Sequence, residues 1–243
     1  MMKRPTASIV FVLATLAATV AAEAPAILEY DVVAVKRKLL LDTTEGERAL
    51  QAGDHAQSGD VLRTGSRSRA ELLVAEYAAR FVVSSKTSFR LAHDRPGVLL
   101  DIERGSLRAI FGKLPDGDTR ERLITTPSAV LAVRGTDYGV EVEKDGDTSI
   151  TVFEGTVEVW DIDDIGDRVS VQAGQSTRIK RGKVASTPKP HGLSSNDWDQ
   201  GRRRDSQTMG GTRQSPGMGA GSQSGSGGSG SSSSQGGSKR HGG

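Results

Sequence analysis

The sequence contains no cysteine among its 243 residues, and aromatic side chains make up only 4% of it. Without cysteine the chain can form no disulfide and offers neither a thiolate metal ligand nor a thiol nucleophile. Histidine is also sparse, and its four copies stand far apart in the sequence: His55, His93, His191 and His241. The composition therefore predicts a domain held together by its apolar core alone, with no metal centre and no cofactor.

Long apolar runs are missing as well, with one exception near the N-terminus. The apolar run from Ile9 to Val20 follows Lys3 and Arg4, and small residues precede Glu23. This order is typical of a secretory signal, here residues 1–22. Because a membrane-spanning helix needs ~20 apolar residues, we expect cleavage and a periplasmic or secreted protein without a stable membrane span. An uncleaved anchor is the alternative.

Charge of either sign is not in large excess, since 32 Lys and Arg stand against 30 Asp and Glu. This balance does not indicate a dedicated nucleic-acid surface. One basic run, Lys36-Arg37-Lys38, is compatible with a phosphate or lipid-headgroup site. A solvated sheet edge, where such charges oppose pairing with another sheet, is the favoured interpretation.

The most informative stretch of the sequence runs from Thr125 to Val142. A proline near its start precedes the apolar run Ala129–Val133, and this run ends at Arg134-Gly135-Thr136-Asp137. The stretch then alternates, with Tyr138, Val140 and Val142 separated by smaller or charged residues. Short apolar runs and period-two alternation are typical of strands. We therefore expect two strands that meet at a glycine corner.

The same pattern recurs around three glycines, Gly105, Gly155 and Gly174. Each glycine is preceded by two apolar residues at matching positions: Leu100 and Ile102, Ile150 and Val152, Val169 and Val171. A repeated unit of strand, glycine corner and strand predicts an all-β fold. From the pattern alone, a solenoid-like stack of these units and an antiparallel β-sandwich of hairpins are equally compatible with the sequence.

The sequence divides into a β domain at 28–190, with its core at 52–180, and a tail at 191–243. The tail is rich in glycine and serine and poor in large apolar residues. Such a segment cannot bury enough surface to offset the entropy of ordering, so we expect a flexible tail. At its start, Leu193 and Trp198 indicate either one last turn docked on the domain, which is favoured, or a partner-binding motif.

No catalytic pattern is recognisable, which favours a non-enzymatic protein. The acidic segment Asp161–Asp167 lacks an oxygen ligand at the fifth position of a calcium loop, where Ile165 stands, and a glutamate at the twelfth, where Gln172 stands. An acidic turn is therefore the favoured interpretation of this segment. Arg134 is the strongest single polar candidate. Its guanidinium fork can hold a partner carboxylate, or it can have the structural role that we favour, pairing with Asp137 or capping backbone carbonyls at the corner.

Four segments together resemble the FecR domain family. The core of the resemblance is Thr126–Tyr138, and the other three segments are Gly59–Leu72, Val152–Val159 and Ala173–Gln175. The resemblance covers roughly residues 52–179. It implies the twisted β-solenoid-like fold of that family's extracytoplasmic domain, and a role as a regulator that relays iron-siderophore signals from a TonB-dependent receptor to a sigma factor.

The sequence departs from that family's full architecture at both ends, because a signal-like segment and a Gly/Ser tail stand where further domains are expected. This favours a stand-alone secreted FecR domain that binds a protein or another envelope component. The alternatives are a transmembrane regulator of a sigma factor and a glycan- or matrix-binding envelope protein. The candidate partner-binding residues are Arg134, Asp137, Tyr138 and Trp198, and self-association through exposed end layers is compatible with the pattern.

Overall fold

The computed structural model describes residues 27–91, 96–164 and 166–208, the last four of these by their backbone alone. The predicted signal segment 1–22 and the tail from residue 209 lie outside the described residues. The described part consists almost entirely of β-strands, which confirms the all-β fold class predicted from the sequence. Where the domain gives way to the tail stays a prediction.

Fifteen strands, a 3₁₀ turn at Ala75–Tyr77 and one helix make up the regular structure of the described residues. They are β1 (Glu29–Lys36), β2 (Leu39–Thr43), β3 (Gly46–Leu50), β4 (His55–Gln57), β5 (Val61–Thr64), β6 (Arg69–Val74), β7 (Ala79–Val83), β8 (Ser88–Leu91), β9 (Val98–Phe111), β10 (Leu123–Thr125), β11 (Ala129–Val142), β12 (Thr148–Asp161), β13 (Val169–Gln172), β14 (Gln175–Ile179), β15 (Lys189–Pro190) and α1 (Ser195–Thr208).

All fifteen strands belong to one hydrogen-bonded network. Its main path runs β15-β14-β12-β11-β10-β9-β7-β6-β1-β4, and the remaining strands pair beside that path. Each described pairing is antiparallel except that of β10 with β9, which is parallel. This topology is that of a largely antiparallel sheet, and it does not establish the solenoid-like stack that the glycine repeats suggested.

Long strands bend partway along and change partners at the bend. The first part of β9 pairs with β8, up to Arg104, and the part from Leu107 onward pairs with β7. Gly105 lies between these parts with a φ of +103°, and a Cβ there would come within 2.6 Å of the Thr87 backbone. The predicted glycine corner is therefore a bend within one continuous strand, because hydrogen bonding resumes on both sides of it.

The core is built from side chains that alternate along the strands. In β6, Ala70, Leu72 and Val74 are buried, as the alternation in the sequence predicts. Three aromatic residues of the core lie together: the Phe111 ring stacks on Tyr138 at 6.3 Å and meets Phe81 edge to face at 5.9 Å. Burial of such rings is a large part of the apolar stabilisation of a small core.

The single helix of the described residues, α1, is short and polar. Its sequence from Ser195 to Thr208 contains one large apolar residue, Trp198, and three consecutive arginines. Across the described ranges, no helix combines the length and hydropathy needed to cross a bilayer. The helix therefore depends on what it contacts on the sheet, since isolated helices of this length are marginal in water.

Candidate functional site

The site is built on β11, whose residues alternate between the core and an outer face. Tyr138, Val140 and Val142 are buried in the core, as predicted. Asp137, Gly139 and Glu141 lie between them and therefore on the opposite face of the sheet. This outer face of β11 carries the helix α1.

The corner Arg134-Gly135-Thr136-Asp137 is a bulge in the pairing of β11 with β12. The register shifts between Arg134 and Asp137, and Gly135 has a φ of +55°. A Cβ on Gly155, opposite the bulge, would come 2.6 Å from the Gly135 carbonyl oxygen. The close backbone approach therefore requires glycine at position 155, whereas glycine suits position 135 because of its positive φ.

Arg134 is exposed at this corner. In the described part of the chain its guanidinium forms neither an ion pair nor a side-chain hydrogen bond, and it does not pair with Asp137. The bulge places the two residues opposite different positions of β12, Thr156 and Glu154. Arg134 therefore presents its charge to solvent, on a rigid strand bend.

Asp137 is held instead by Arg108 of β9. The Arg108 guanidinium donates from Nε to Oδ1 at 2.7 Å and from a terminal nitrogen to Oδ2 at 2.5 Å. Hydrogen bonding to Asp137 raises the pKa of Arg108 above its ordinary value. Bidentate pairs of this kind combine strength with fixed orientation. Asp137 therefore has an internal partner.

A second carboxylate, Asp199 of α1, joins the same network. It accepts hydrogen bonds from Arg108 at 3.2 Å and from Arg69 of β6 at 3.0 Å. The side chains of Asp137, Asp199 and Arg108 are each about 15% exposed. Arginines from two strands thus hold the helix, in a setting that water screens less than the open surface.

Trp198 is the apolar part of the same contact and is 7% exposed. Its indole lies flat on Gly139, where a Cβ would come 2.4 Å from the ring. Phe153 of β12 packs against it at 6.0 Å, and the Arg202 guanidinium covers it at 4.3 Å. Of the two alternatives left open by the sequence, the structure shows Trp198 docked on the domain.

Arg202, four residues after Trp198 in α1, adds a further ion pair to the contact. Its two terminal nitrogens donate to the two carboxylate oxygens of Glu141 at 2.5 and 2.6 Å. The docking surface, defined here as Arg69, Arg108, Asp137, Gly139, Glu141 and Phe153, therefore binds α1 through one indole and a set of arginine–carboxylate pairs.

Tyr138 occupies a different environment from the other predicted residues. Its side chain is fully buried, and within the described structure its hydroxyl has no hydrogen-bond partner. Burial raises the pKa of this phenol well above its ordinary value. Of the four predicted partner-binding residues, Arg134 alone is exposed, and the role of all four in binding a partner stays a prediction.

The acidic segment after β12 forms a turn. The Asp161 carboxylate accepts hydrogen bonds from the backbone N–H groups of Asp163 and Lys183, at 2.8 and 3.1 Å, and Asp164 accepts one from Gly166. In the described ranges no group of three or more His, Asp or Glu side chains is arranged to hold a metal ion. These carboxylates instead satisfy backbone donors, as is usual for aspartate in turns.

Sequence reasoning missed most of the docking surface, and one signal for the helix was available. Ser194 and Asp197 form a reciprocal capping box, in which each backbone N–H donates to the other side chain at 3.2 and 3.1 Å. A serine followed three residues later by an acidic residue is a recognised start signal. The partners of Arg108 carry no such local signal, since Asp199 is 91 residues away.

Comparison with known proteins gives a family match and a weak structural likeness. Two crystal structures of "a putative anti-sigma factor" from Parabacteroides distasonis ATCC 8503, at 2.50 Å and 1.65 Å resolution, each share 13% identity with this chain. The alignments cover 54% of this chain and 59% of theirs, with a TM-score of 0.44. No curated protein matches the chain.

The family match covers residues 60–158, which fit the family described as FecR protein. This range extends from the residue before β5 into β12 and includes the bulge at Arg134 and the strand β9 that holds Asp137. It coincides with most of the segments whose resemblance was noted in the sequence. Residues 60–158 therefore match the FecR family, which confirms the resemblance seen in the sequence.

Proposed function

We propose that the protein is a non-enzymatic, extracytoplasmic FecR-domain module that binds another protein through the corner at Arg134. The observation that carries this proposal is an exposed guanidinium on a fixed bulge, with its neighbouring carboxylate already engaged by Arg108. A guanidinium fork is suited to hold a carboxylate of a partner protein. An extracytoplasmic location is supported by the FecR family, whose domains lie outside the cytoplasm.

The rigidity of the corner favours recognition. β11 and β12 pair on both sides of the bulge, from Ala129 with Asp161 to Val142 with Thr148. A side chain presented by a preorganised backbone loses less conformational entropy on binding than one carried by a mobile loop. The corner therefore needs little rearrangement to accept a partner.

Substitution of Arg134 tests this proposal, with Arg48 as the matched control, because Arg48 is also an exposed strand arginine, on β3. Wild type, R134E and R48E would be immobilised as full chains and exposed to envelope extract, and the bound proteins identified by mass spectrometry. We expect a partner that wild type and R48E retain and that R134E retains about tenfold less, or worse, since charge reversal opposes a carboxylate. Equal recovery by R134E, or no specific partner, would contradict the proposal.

A second candidate function, regulation of a sigma factor, is favoured by the FecR family match. Such a regulator changes the transcription of a limited set of operons when it is removed. Transcript levels measured with and without the gene, and after complementation by wild type or R134E, test this function. Identical transcript profiles under iron-rich and iron-poor conditions would argue against it.

A further inference from the structure

A second feature of the molecule lies beside the docking surface and is independent of the Arg134 corner. A cavity of about 310 Å³ opens where the turn after β1, the turn before β6, the turn after β7 and helix α1 meet. Six cationic side chains line it: Lys36, Arg37, Arg67, Arg69, Arg202 and Arg203. The remaining lining residues are serines, so the described wall contains no carboxylate.

The cavity holds more positive charge than its surroundings neutralise. Arg69 is paired with Asp199 and Arg202 with Glu141, both outside the lining. Within the described part of the chain, the side chains of Lys36, Arg37 and Arg67 form neither an ion pair nor a hydrogen bond. A concave wall of one charge sign concentrates the electrostatic potential and attracts the opposite charge.

The backbone under this cavity is unusual at two of the arginines. Arg37 has a φ of 72° and Arg67 a φ of 58°, which place both in the left-handed region that favours glycine. A residue with a Cβ is disfavoured there. The sequence nevertheless carries a guanidinium at each position, and strained residues of this kind cluster at binding sites.

The turns that carry these arginines are tied to one another. The Lys38 N–H donates to the Ser68 hydroxyl at 3.1 Å, and the Gly65 N–H donates to the Lys38 carbonyl at 3.2 Å. The Lys86 N–H donates to the Gly65 carbonyl at 3.1 Å and connects the third turn. The floor of the cavity is therefore preorganised, and the cations do not have to be gathered when a ligand binds.

We propose that this cavity binds the phosphate group of a phosphorylated ligand. Arginine forks match phosphate oxygens in pairs of hydrogen bonds, and serine hydroxyls supply further donors. A dianionic group fits this site, where three cations have no partner among the described residues, better than a single carboxylate does. The volume, at the lower end of small-ligand sites, accommodates a phosphate or diphosphate with a small attached group, either as a soluble molecule or as a lipid headgroup.

Glycine substitution offers a test in which the fold is expected to survive. In R37G/R67G the guanidinium groups are removed, and glycine suits both left-handed positions. K86G is the matched control, because Lys86 is also a cation at positive φ, 56°, and does not line the cavity. Thermal unfolding of each full-length variant would first show that it is folded.

Binding would be measured by calorimetry with inorganic phosphate and pyrophosphate, and by flotation with vesicles of phosphatidylcholine with or without phosphatidic acid. We expect affinity to fall about tenfold or more in R37G/R67G and to change little in K86G. Binding to the soluble anions identifies a soluble ligand as sufficient, whereas binding to phosphatidic-acid vesicles alone identifies a lipid headgroup. Absence of binding in both arms, or unchanged affinity in the folded R37G/R67G variant, would overturn the proposal.

Discussion

At Gly139 the missing side chain is what allows the helix to dock. The Trp198 indole occupies the space next to its Cα, and three ring atoms lie within 2.8 Å of where a Cβ would be. The backbone at Gly139 is not in the left-handed region, so the requirement for glycine comes from packing. A single methyl group at this position therefore probes the contact between α1 and the sheet.

We expect G139A to displace Trp198 and to lower the free energy of unfolding by about 1–3 kcal/mol, as overpacking does. Urea unfolding, with tryptophan emission as the probe, measures both effects, because an undocked indole emits at longer wavelength. G192A serves as the control, since an added Cβ at Gly192 has no neighbour within 4 Å. An unshifted emission and unchanged stability in G139A would show that α1 docks in another way.

Tyr138 and Tyr30 differ in the hydrogen bonding of their hydroxyl groups. Both are fully buried, but the Tyr30 hydroxyl donates to the Leu99 carbonyl and the Tyr138 hydroxyl has no partner in the described structure. A buried polar group without a partner is destabilising, and a buried hydrogen bond is modestly stabilising. The two hydroxyls should therefore contribute to stability with opposite signs.

We expect Y138F to leave the free energy of unfolding unchanged or to raise it by about 1 kcal/mol, and Y30F to lower it by about 1 kcal/mol. Guanidinium unfolding of both variants beside wild type measures the difference. A clear loss of stability in Y138F would show that its hydroxyl has a bonding role.

The pH dependence of stability follows from the same burial. Because burial raises the pKa of Tyr138 in the folded state, only the unfolded chain loses this proton as the pH passes the ordinary value of 10.0. The unfolded state then binds fewer protons, so stability falls as the pH rises above 10. Unfolding measured between pH 8 and pH 11 should show a shallower decline in Y138F than in wild type, and parallel curves would contradict this assignment.

At the scale of elements, α1 is a helix that its own sequence supports weakly. Trp198 is its one large apolar residue, and Gly201 lowers its helix propensity. The sequence by itself indicates no more than one last turn here, or a partner-binding motif, at Leu193 and Trp198. What extends the helix are its capping box and the docking surface, including the two arginines that share Asp199.

We expect D199N to weaken the docking of α1 by about 2 kcal/mol, because it removes the negative charge of the carboxylate that accepts hydrogen bonds from both Arg69 and Arg108. Hydrogen exchange of the α1 amides measures this as faster exchange, while the amides of β6 and β9 keep their protection. Q200A is the control, because Gln200 is an exposed neighbour on the same helix. Unchanged α1 exchange in D199N would show that the ion pairs add nothing to docking.

At the scale of the whole molecule, the sequence predicts the class of the fold better than its connections. Alternation in Ala70–Val74 and Tyr138–Val142 is a local signal with a period of two, and it correctly identifies which side chains are buried. A glycine such as Gly105 likewise indicates in the sequence where the backbone bends. The sequence does not show that Gly105 lies inside one strand with different partners before and after it, because pairing depends on distant residues.

The arrangement of the candidate site likewise depends on distant residues and cannot be predicted from local sequence. Arg134 and Asp137 stand out in the sequence, but their separation by the bulge depends on the register of β12. In the sequence, the basic run at Lys36–Lys38 favours a solvated edge, and its proximity to Arg67 is seen only once β1 and β6 are paired. Charged residues that are far apart in sequence gain a shared environment only through the fold.

The bent strands also bear on how quickly the protein can fold. β1 must pair with β6, which places Val32 beside Leu72. In addition, β9 must bend before β7, β8, β10 and β11 can all pair with it. Pairing of distant strands requires large loops to close, and hydrogen bonds offset the lost chain entropy only after the loops have closed. Refolding on the scale of ~milliseconds to seconds is therefore expected. Since each bend links partners that would otherwise be independent, the strands joined through β9 should assemble late and come apart together.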